Sequence, residues 1–549
     1  MFLRSAPRMA AFYTSSKCVR IKRKGHASSR LAGPDNGEAL FSVHFPRRML
    51  RAMACWTKTL KHKVAPMTNK TSRRDFLELS ALGLGAAVLP KHKLESVATT
   101  HTLASNTPPM GNEISIWVTS GEERFASAPQ VSWGAASGSA TADHIQLDPS
   151  KKYQDILGFG GAFTDAACYV INQLAPEARE HLIREMFHPS EMGLNVCRTC
   201  IGASDYSASL YSFDNGTADP DLTRFSIDHD REYILPVLRE ARKQNPDLFL
   251  FSSPWSPPGW MKFNGTMLGG SMRNHYLPAY AQYMMKFLQG YAAEGVPIQA
   301  VTSQNEVDTD QDGRMPACLW PQEYEIEFVG KHLGPLLERS GLPTKIWILD
   351  HNYNLWGRVM GELEDDAVRK YADGVAWHGY VGTPDMMSKV HEAYPDTRMY
   401  WTEGGPAYTA PDYQTDWCRW GETYTAVLRN WCRSITAWNL ALDEKGKPNI
   451  GPFDCGGVVT IHSQTKEITR SGQYWGFAHF SRLVRRGARR FDSQSTAADI
   501  HHIALENPDG RRLLVLTNAG PARSVELRLG DQMARIPLKP NSLTTLAWH

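Results

Sequence analysis

Two glutamates in this chain stand in comparable surroundings. Glu306 lies in VTSQNEV and Glu403 in RMYWTEGGPAY, each just after a short run of apolar and aromatic residues. Desolvating a carboxylate is costly, so such a residue at the end of a buried run calls for a use. The two are 97 residues apart, a separation of three strand–helix units of ordinary size. Strands that far apart face each other across the mouth of a closed barrel, where two inward carboxyl groups approach within several ångströms. That is the arrangement for breaking a glycosidic bond, one carboxylic acid protonating the departing oxygen while a carboxylate attacks the anomeric carbon, with about 5–5.5 Å between them in a retaining enzyme. The Asn-Glu dipeptide alone carries little weight, because Asn112-Glu113 repeats it without that context.

The elements that must hold these carboxylates are eight apolar runs with polar, glycine or aromatic ends: ILGFGGAF, NVCRTCIG, LFLFSSPW, IQAVTSQNE, KIWILDHN, GVAWHGY, RMYWTEGG and ITAWNLAL. Helical patterns separate them. In HYLPAYAQYMMKFLQGYAAEG, Tyr280, Met284, Phe287 and Tyr291 share one face and Gly295 ends the helix. Alternating strands and helices imply parallel pairing, and eight units predict an α/β fold, a (β/α)8 TIM barrel over 156–465. An open doubly wound sheet is the alternative, but GFGGAF lacks the spacing of a phosphate-binding turn. Barrel chemistry sits at the C-terminal strand ends, which here are Arg198, Trp255, Asn305-Glu306, His378, Glu403 and Trp438. A metal-dependent hydrolase would need clustered His and Asp there, and only His378 qualifies. No metal and no organic cofactor is expected.

Both flanks read as short alternating strands: ISIWVTS, QVSWGAA and HIQLDPS within 109–155, and HHIALENPDGRRLLVLTNAG, SVELRLG, ARIPLKP and SLTTLAWH within 466–549. Asp509-Gly510 marks a hairpin turn. Neither flank has enough strands for a sandwich, so the two are expected to join in one β-sandwich side domain. The first 66 residues carry 14 Lys and Arg against 2 Asp and Glu, so the rest of the chain is mildly acidic and gives no support for a nucleic-acid partner. From Met67, twin arginines Arg73 and Arg74 precede a modest apolar stretch from Phe76 to Leu89 that contains Glu78. That predicts a twin-arginine-type export signal and linker over 67–108, with a periplasmic or extracellular destination and no stable membrane insertion. Residues 1–66 are then expected to be a non-native or disordered extension. Cys197 and Cys200 in CRTC are read as strand residues, since no second pair or nearby histidine completes a site.

The sequence resembles glycoside hydrolase family 30 from about residue 112 to 549. The likeness rests on GFGGAFTDAA, SPWSPPGWMKFNGTMLGG, VTSQNEV, AWHGY, YWTEGG and TAWNLALDEKGKPN, which occur in the family's order. It implies that Glu306 is the acid/base and Glu403 the nucleophile of a retaining β-glycosidase. It also implies that Arg198 tunes Glu403, that Asp205 and Trp255 bind sugar hydroxyls, and that Asn305 holds the 2-hydroxyl. Trp438 would floor the sugar ring, and His378 and Tyr380 would bracket the glutamates. To act as an acid, Glu306 should have a raised pKa. The implied substrates are β-glucosides, glycolipids such as glucosylceramide, or β-1,6-glucan, with β-xylosides and β-fucosides as alternatives within the family. Val307 stands where the family usually has proline, which puts aglycone preference in question. The following DTDQDG lacks the bidentate glutamate of a calcium loop and is read as a solvated loop.

Overall fold

Each of the eight predicted runs contributes one barrel strand. The strands Gly158–Phe163, Val196–Cys200, Phe249–Ser253, Ala300–Thr302, Lys345–Asn352, Ala372–His378, Arg398–Glu403 and Cys432–Ala437 are parallel and close into a barrel in chain order. The computed structural model describes residues 112–549 apart from 137, 139, 141 and 142, so the extension expected over 1–66 and the signal expected over 67–108 lie outside the described residues. Closure pairs the eighth strand with the first, from Ser434–Gly158 to Ala437–Gly161. At Gly160 a Cβ would come within 1.9 Å of the Val196 carbonyl oxygen, so only glycine permits the first and second strands to approach this closely.

The barrel interior is built in layers, as the two-residue period of a strand dictates. Val196, Phe251, Ala300, Trp347, Ala376 and Tyr400 make an apolar layer, with Trp347 stacked on Tyr400 at 3.9 Å. Two residues further along, Arg198, Ser253, Thr302, His378 and Thr402 form a buried polar layer. Strand five departs from the period. Leu349 and Asp350 both have left-handed φ values, 72° and 49°, and the register against strand six shifts there. This bulge turns Asp350, rather than Leu349, into the polar layer.

Amphipathic helices cover the barrel. Helix Leu277–Ala293 buries Tyr280, Met284, Phe287 and Tyr291, and Gly295 follows it with φ 75°. The last helix, Gly472–Ser481, lies past residue 465, where the sequence reading ended the barrel. Ser471 caps it by accepting from the Tyr474 amide, and Phe480 packs against Phe159 of strand one.

The flanks do join. Strands Glu113–Ser120, Glu123–Ser132, Gly134–Ala135 and His144–Asp155 combine with Arg489–Ser495, Ile500–Glu506, Arg512–Asn518, Arg523–Leu529, Gln532–Leu538 and Ser542–Trp548 in one hydrogen-bonded order of ten. Glu113–Ser120 pairs with the final strand, and His144–Asp155 bridges two C-terminal strands. Ile116, Trp133, Ile145, Leu514, Leu527 and Ile536 share one core. Of strand Glu123–Ser132, the expected run QVSWGAA covers only the last three residues. The strand lies at the sheet edge, largely exposed or half-buried and interrupted by Pro129, so it lacks apolar alternation. His479 of the last barrel helix bonds Thr119 at 2.8 Å and Thr545 at 2.9 Å, tying barrel to side domain. No helix among the described residues is long and apolar enough to cross a membrane.

Candidate active site

Glu403 is the last residue of strand seven and only 6% exposed. Its Oε2 accepts from Arg198 Nη1 at 2.5 Å and its Oε1 from the Tyr380 hydroxyl at 3.0 Å. Arg198 was expected at a strand end, but it is the middle residue of strand two and fully buried. From there it reaches upward. Nη2 donates to Asp350 Oδ2 and to Asn305 Oδ1, both at 2.7 Å, and Nε donates to Ser253 Oγ at 3.0 Å. A buried guanidinium is tolerated only with such complete pairing. Asp350 also accepts from Ser253, Thr302 and Thr402, each at 2.7 Å.

Glu306 lies four residues past Thr302, the end of strand four, with a left-handed φ of 52°. A non-glycine residue held there stores strain of the kind found at functional positions. Its amide donates to the Asp350 carbonyl at 3.0 Å, and its Oε2 accepts from Gln311 Nε2 at 2.8 Å. Its Oε1 is 3.5 Å from His378 Nδ1 and 3.7 Å from His351 Nδ1. The other nitrogen of His378 is 3.8 Å from Glu403 Oε2. The two glutamates therefore flank a single imidazole, one at each ring nitrogen.

Beside them lies an aromatic wall. Trp255 and Trp438 stack at 5.0 Å with 20° between planes, Tyr206 meets Trp438 edge-on at 5.9 Å, and the Arg198 guanidinium covers Trp255 at 4.5 Å. Asp205 is 4% exposed and its Oδ1 has no hydrogen-bond partner in the protein. Arg198 occupies the Asn305 oxygen, so the Asn305 amide NH2 is left as a donor.

The Glycosyl hydrolase family 30 TIM-barrel domain matches residues 156–484, and the Glycosyl hydrolase family 30 beta sandwich domain matches 487–546. The chain belongs to glycoside hydrolase family 30. It is 32% identical over 394 residues to an endo-1,6-beta-D-glucanase of Neurospora crassa, covering 68% of this chain and 81% of that one. Lysosomal acid glucosylceramidase of Mus musculus is 28% identical over 410 residues, 70% of this chain and 79% of that protein. The solved endo-beta1,6-glucanase BT3312 superposes with a TM-score of 0.72 at 29% identity, covering 80% of this chain and all of that one.

The electrostatics of this family-30 hydrolase differ from expectation at Glu306. Burial pushes its carboxyl up, as expected, but His351 and His378 outweigh burial and bring it down to about 2. Burial also raises Glu403, against the pull of His378 and Arg198 and with added repulsion from Glu306. Burial disfavours a charged His378, yet Glu403, Asp350 and Glu306 together raise it to about 9. Asp350 is held well below the usual carboxylate range, because Arg198 and His378 overcome its burial. Burial, then the charges of Glu403 and Glu306, pushes Asp205 well up. An ionised Glu306 beside a protonated His378 holds the same proton count as a protonated Glu306 beside a neutral imidazole. The proton is stored one contact away from the Glu306 carboxyl.

Three contributors escaped the sequence reading. His378 does not stand alone: His351 closes on the same carboxylate, and Asp350 organises Arg198 and His378. The signal is the polar end of KIWILDHN, a strand end of the same kind as those that carry Glu306 and Glu403. The loop read as solvated also takes part, because Asp308 Oδ1 is 2.6 Å from His351 Nε2 and Gln311 holds Glu306. Glu306, His351 and His378 offer three ligand atoms within 4.8 Å of one another. Cys197 and Cys200 are buried in strand two, and the seven cysteines among the described residues are free thiols.

Proposed function

We propose that this glycoside hydrolase is a retaining β-glycosidase acting on β-glucosidic linkages. The observation that supports this most directly is the placement of Glu306 and Glu403, from strands four and seven, on the two sides of the His378 ring at the barrel mouth. Glu403, oriented by Arg198 and Tyr380, attacks the anomeric carbon. Glu306 delivers the proton shared with His378 to the departing oxygen. Esterification removes the Glu403 charge, and Glu306 then takes a proton from water as the glycosyl ester is hydrolysed. The Trp255–Trp438 wall borders the sugar, while Asp205 and the Asn305 amide meet its hydroxyls.

The likeness to endo-1,6-glucanases in both a curated relative and a solved structure favours β-1,6-glucan as substrate. A glucosylceramide-type glycolipid is the second reading, supported by the mouse relative. Hydrolysis of β-1,6-glucan, glucosylceramide and a panel of nitrophenyl β-glycosides separates them.

The mechanism is tested by Glu403→Ala, which abolishes turnover until azide or formate restores it with inverted product. Recovery of retained product overturns Glu403 as nucleophile. Glu306→Ala spares glycosylation for good leaving groups only, and equal loss for good and poor leaving groups removes it from the acid role.

A further inference from the structure

We infer that Glu306, His351 and His378 form a binding site for one divalent transition-metal ion of the zinc, copper or nickel class, and that its occupancy blocks the hydrolase. Both imidazoles are oriented as metal ligands are. His351 Nε2 is 2.6 Å from Asp308 Oδ1, and His378 Nε2 is 3.0 Å from Asp350 Oδ1. An ionised carboxylate only accepts, so each ring donates its Nε2–H there, and Nδ1, on the other side of the ring, is the nitrogen a metal takes once the proton shared with Glu306 has left. Both Nδ1 atoms are buried and lack a hydrogen-bond partner in the protein, in rings that are 5% and 0% exposed. Both point at the same oxygen, Glu306 Oε1, from 3.7 Å and 3.5 Å. Two ligands about 2.0–2.1 Å from a shared ion, at tetrahedral to trigonal angles, lie roughly 3.3–3.6 Å apart, close to the two distances to Oε1, and all three ligand atoms lie within 4.8 Å of one another.

The donor set selects the ion. Two imidazoles and one carboxylate suit zinc, copper and nickel, whereas magnesium and calcium demand more oxygen ligands. The Glu306 side chain retains 14% exposure, leaving room for water or a sugar hydroxyl as fourth ligand. The ion takes the place of the proton shared by Glu306 and His378, which is released to solvent. Binding itself is independent of the catalytic assignment, while the inhibition rests on Glu306 being the acid proposed above.

The full chain, treated with EDTA and desalted, is titrated with Zn²⁺ by calorimetry, and with Co²⁺ while its visible absorption is recorded. One equivalent binds at micromolar concentration or tighter, Co²⁺ develops the bands of a low-symmetry site, and Mg²⁺ and Ca²⁺ give no binding. His351→Asn, His378→Asn and Glu306→Gln each lose that equivalent. Asp308→Asn weakens it about tenfold, and Glu403→Gln keeps it. Thermal unfolding of each variant shows which are folded, and Asp308→Asn, which alters a half-exposed carboxylate, remains informative if a histidine variant is not. No stoichiometric Zn²⁺ binding, or unchanged binding in folded His351→Asn, overturns the site. If Zn²⁺ binds but β-glucosides are not hydrolysed, the proposed function fails and the site stands. Hydrolysis that Zn²⁺ leaves untouched while bound overturns the inhibition.

Discussion

The Tyr380 hydroxyl donates at 3.0 Å to Glu403 Oε1, the oxygen that Arg198 leaves free. Between them the two residues fix the plane of the carboxylate. In the proposed mechanism Glu403 departs from the glycosyl ester, and the Tyr380 bond strengthens as charge returns to that oxygen. Tyr380→Phe therefore slows deglycosylation by about 10–100-fold, the worth of one hydrogen bond to a charged group. A burst of nitrophenol followed by a slow steady state, with kcat reduced more than kcat/KM, is the expected record. A uniform rise in KM alone would remove Tyr380 from this role.

Arg198 serves stability and chemistry together. Removing its charge leaves Asp350 and Glu403 buried without their cation. Arg198→Gln is expected to cost about 3–5 kcal/mol of folding stability, read from urea unfolding, and to lower kcat severely even where the protein remains folded. A stable variant with ordinary turnover would contradict the pairing as described.

Lys262 is a buried cation outside the catalytic group. Its ammonium donates to Ser256 Oγ at 3.0 Å, the Met267 carbonyl at 3.0 Å and the Ala317 carbonyl at 2.6 Å. It thereby ties the loop after strand three to the loop after strand four. Burial lowers it to about 8. Lys262→Met leaves these oxygens without their donor and should destabilise by about 1–3 kcal/mol. KM for a polymeric substrate should rise more than KM for a nitrophenyl glucoside, because the loops that follow barrel strands build the substrate site and a longer substrate meets more of them.

His479 makes the junction between barrel and side domain sensitive to acid. Burial, assisted by Arg482, lowers its pKa from 6.5 to about 3. The folded state therefore favours the neutral ring, and this contribution is complete above pH 6.5. It is lost as pH falls from there toward 3, where the unfolded chain binds the proton first. Denaturant unfolding at successive pH values should show a steeper loss for the wild type than for His479→Gln across that window. Parallel slopes would disprove the linkage.

Much of this was written locally. A strand buried on both faces needs a continuous apolar run, and a site at its end needs a polar residue, so KIWILDHN or RMYWTEGG announces itself without reference to the rest of the chain. The eight strands, the two glutamates and the joining of the flanks followed from such patterns. Most of the edge strand Glu123–Ser132 did not, because an exposed edge imposes no alternation on its residues.

The partners of each charge were decided only by the folded chain. Arg198 meets Glu403 across 205 residues and Asp350 across 152, contacts set by barrel closure and not by any neighbouring residue. Asp350 faces inward because a bulge at Leu349–Asp350 breaks the two-residue period that would have aimed Leu349 there. His351 reaches Glu306, and with His378 reverses the pKa direction expected from burial, because the two imidazoles outweigh desolvation. Residue type and local pattern determined which groups bring chemistry to this protein. Strand order, register and one bulge decided which of them touch, since an electrostatic interaction depends on separation in space and not on separation along the chain.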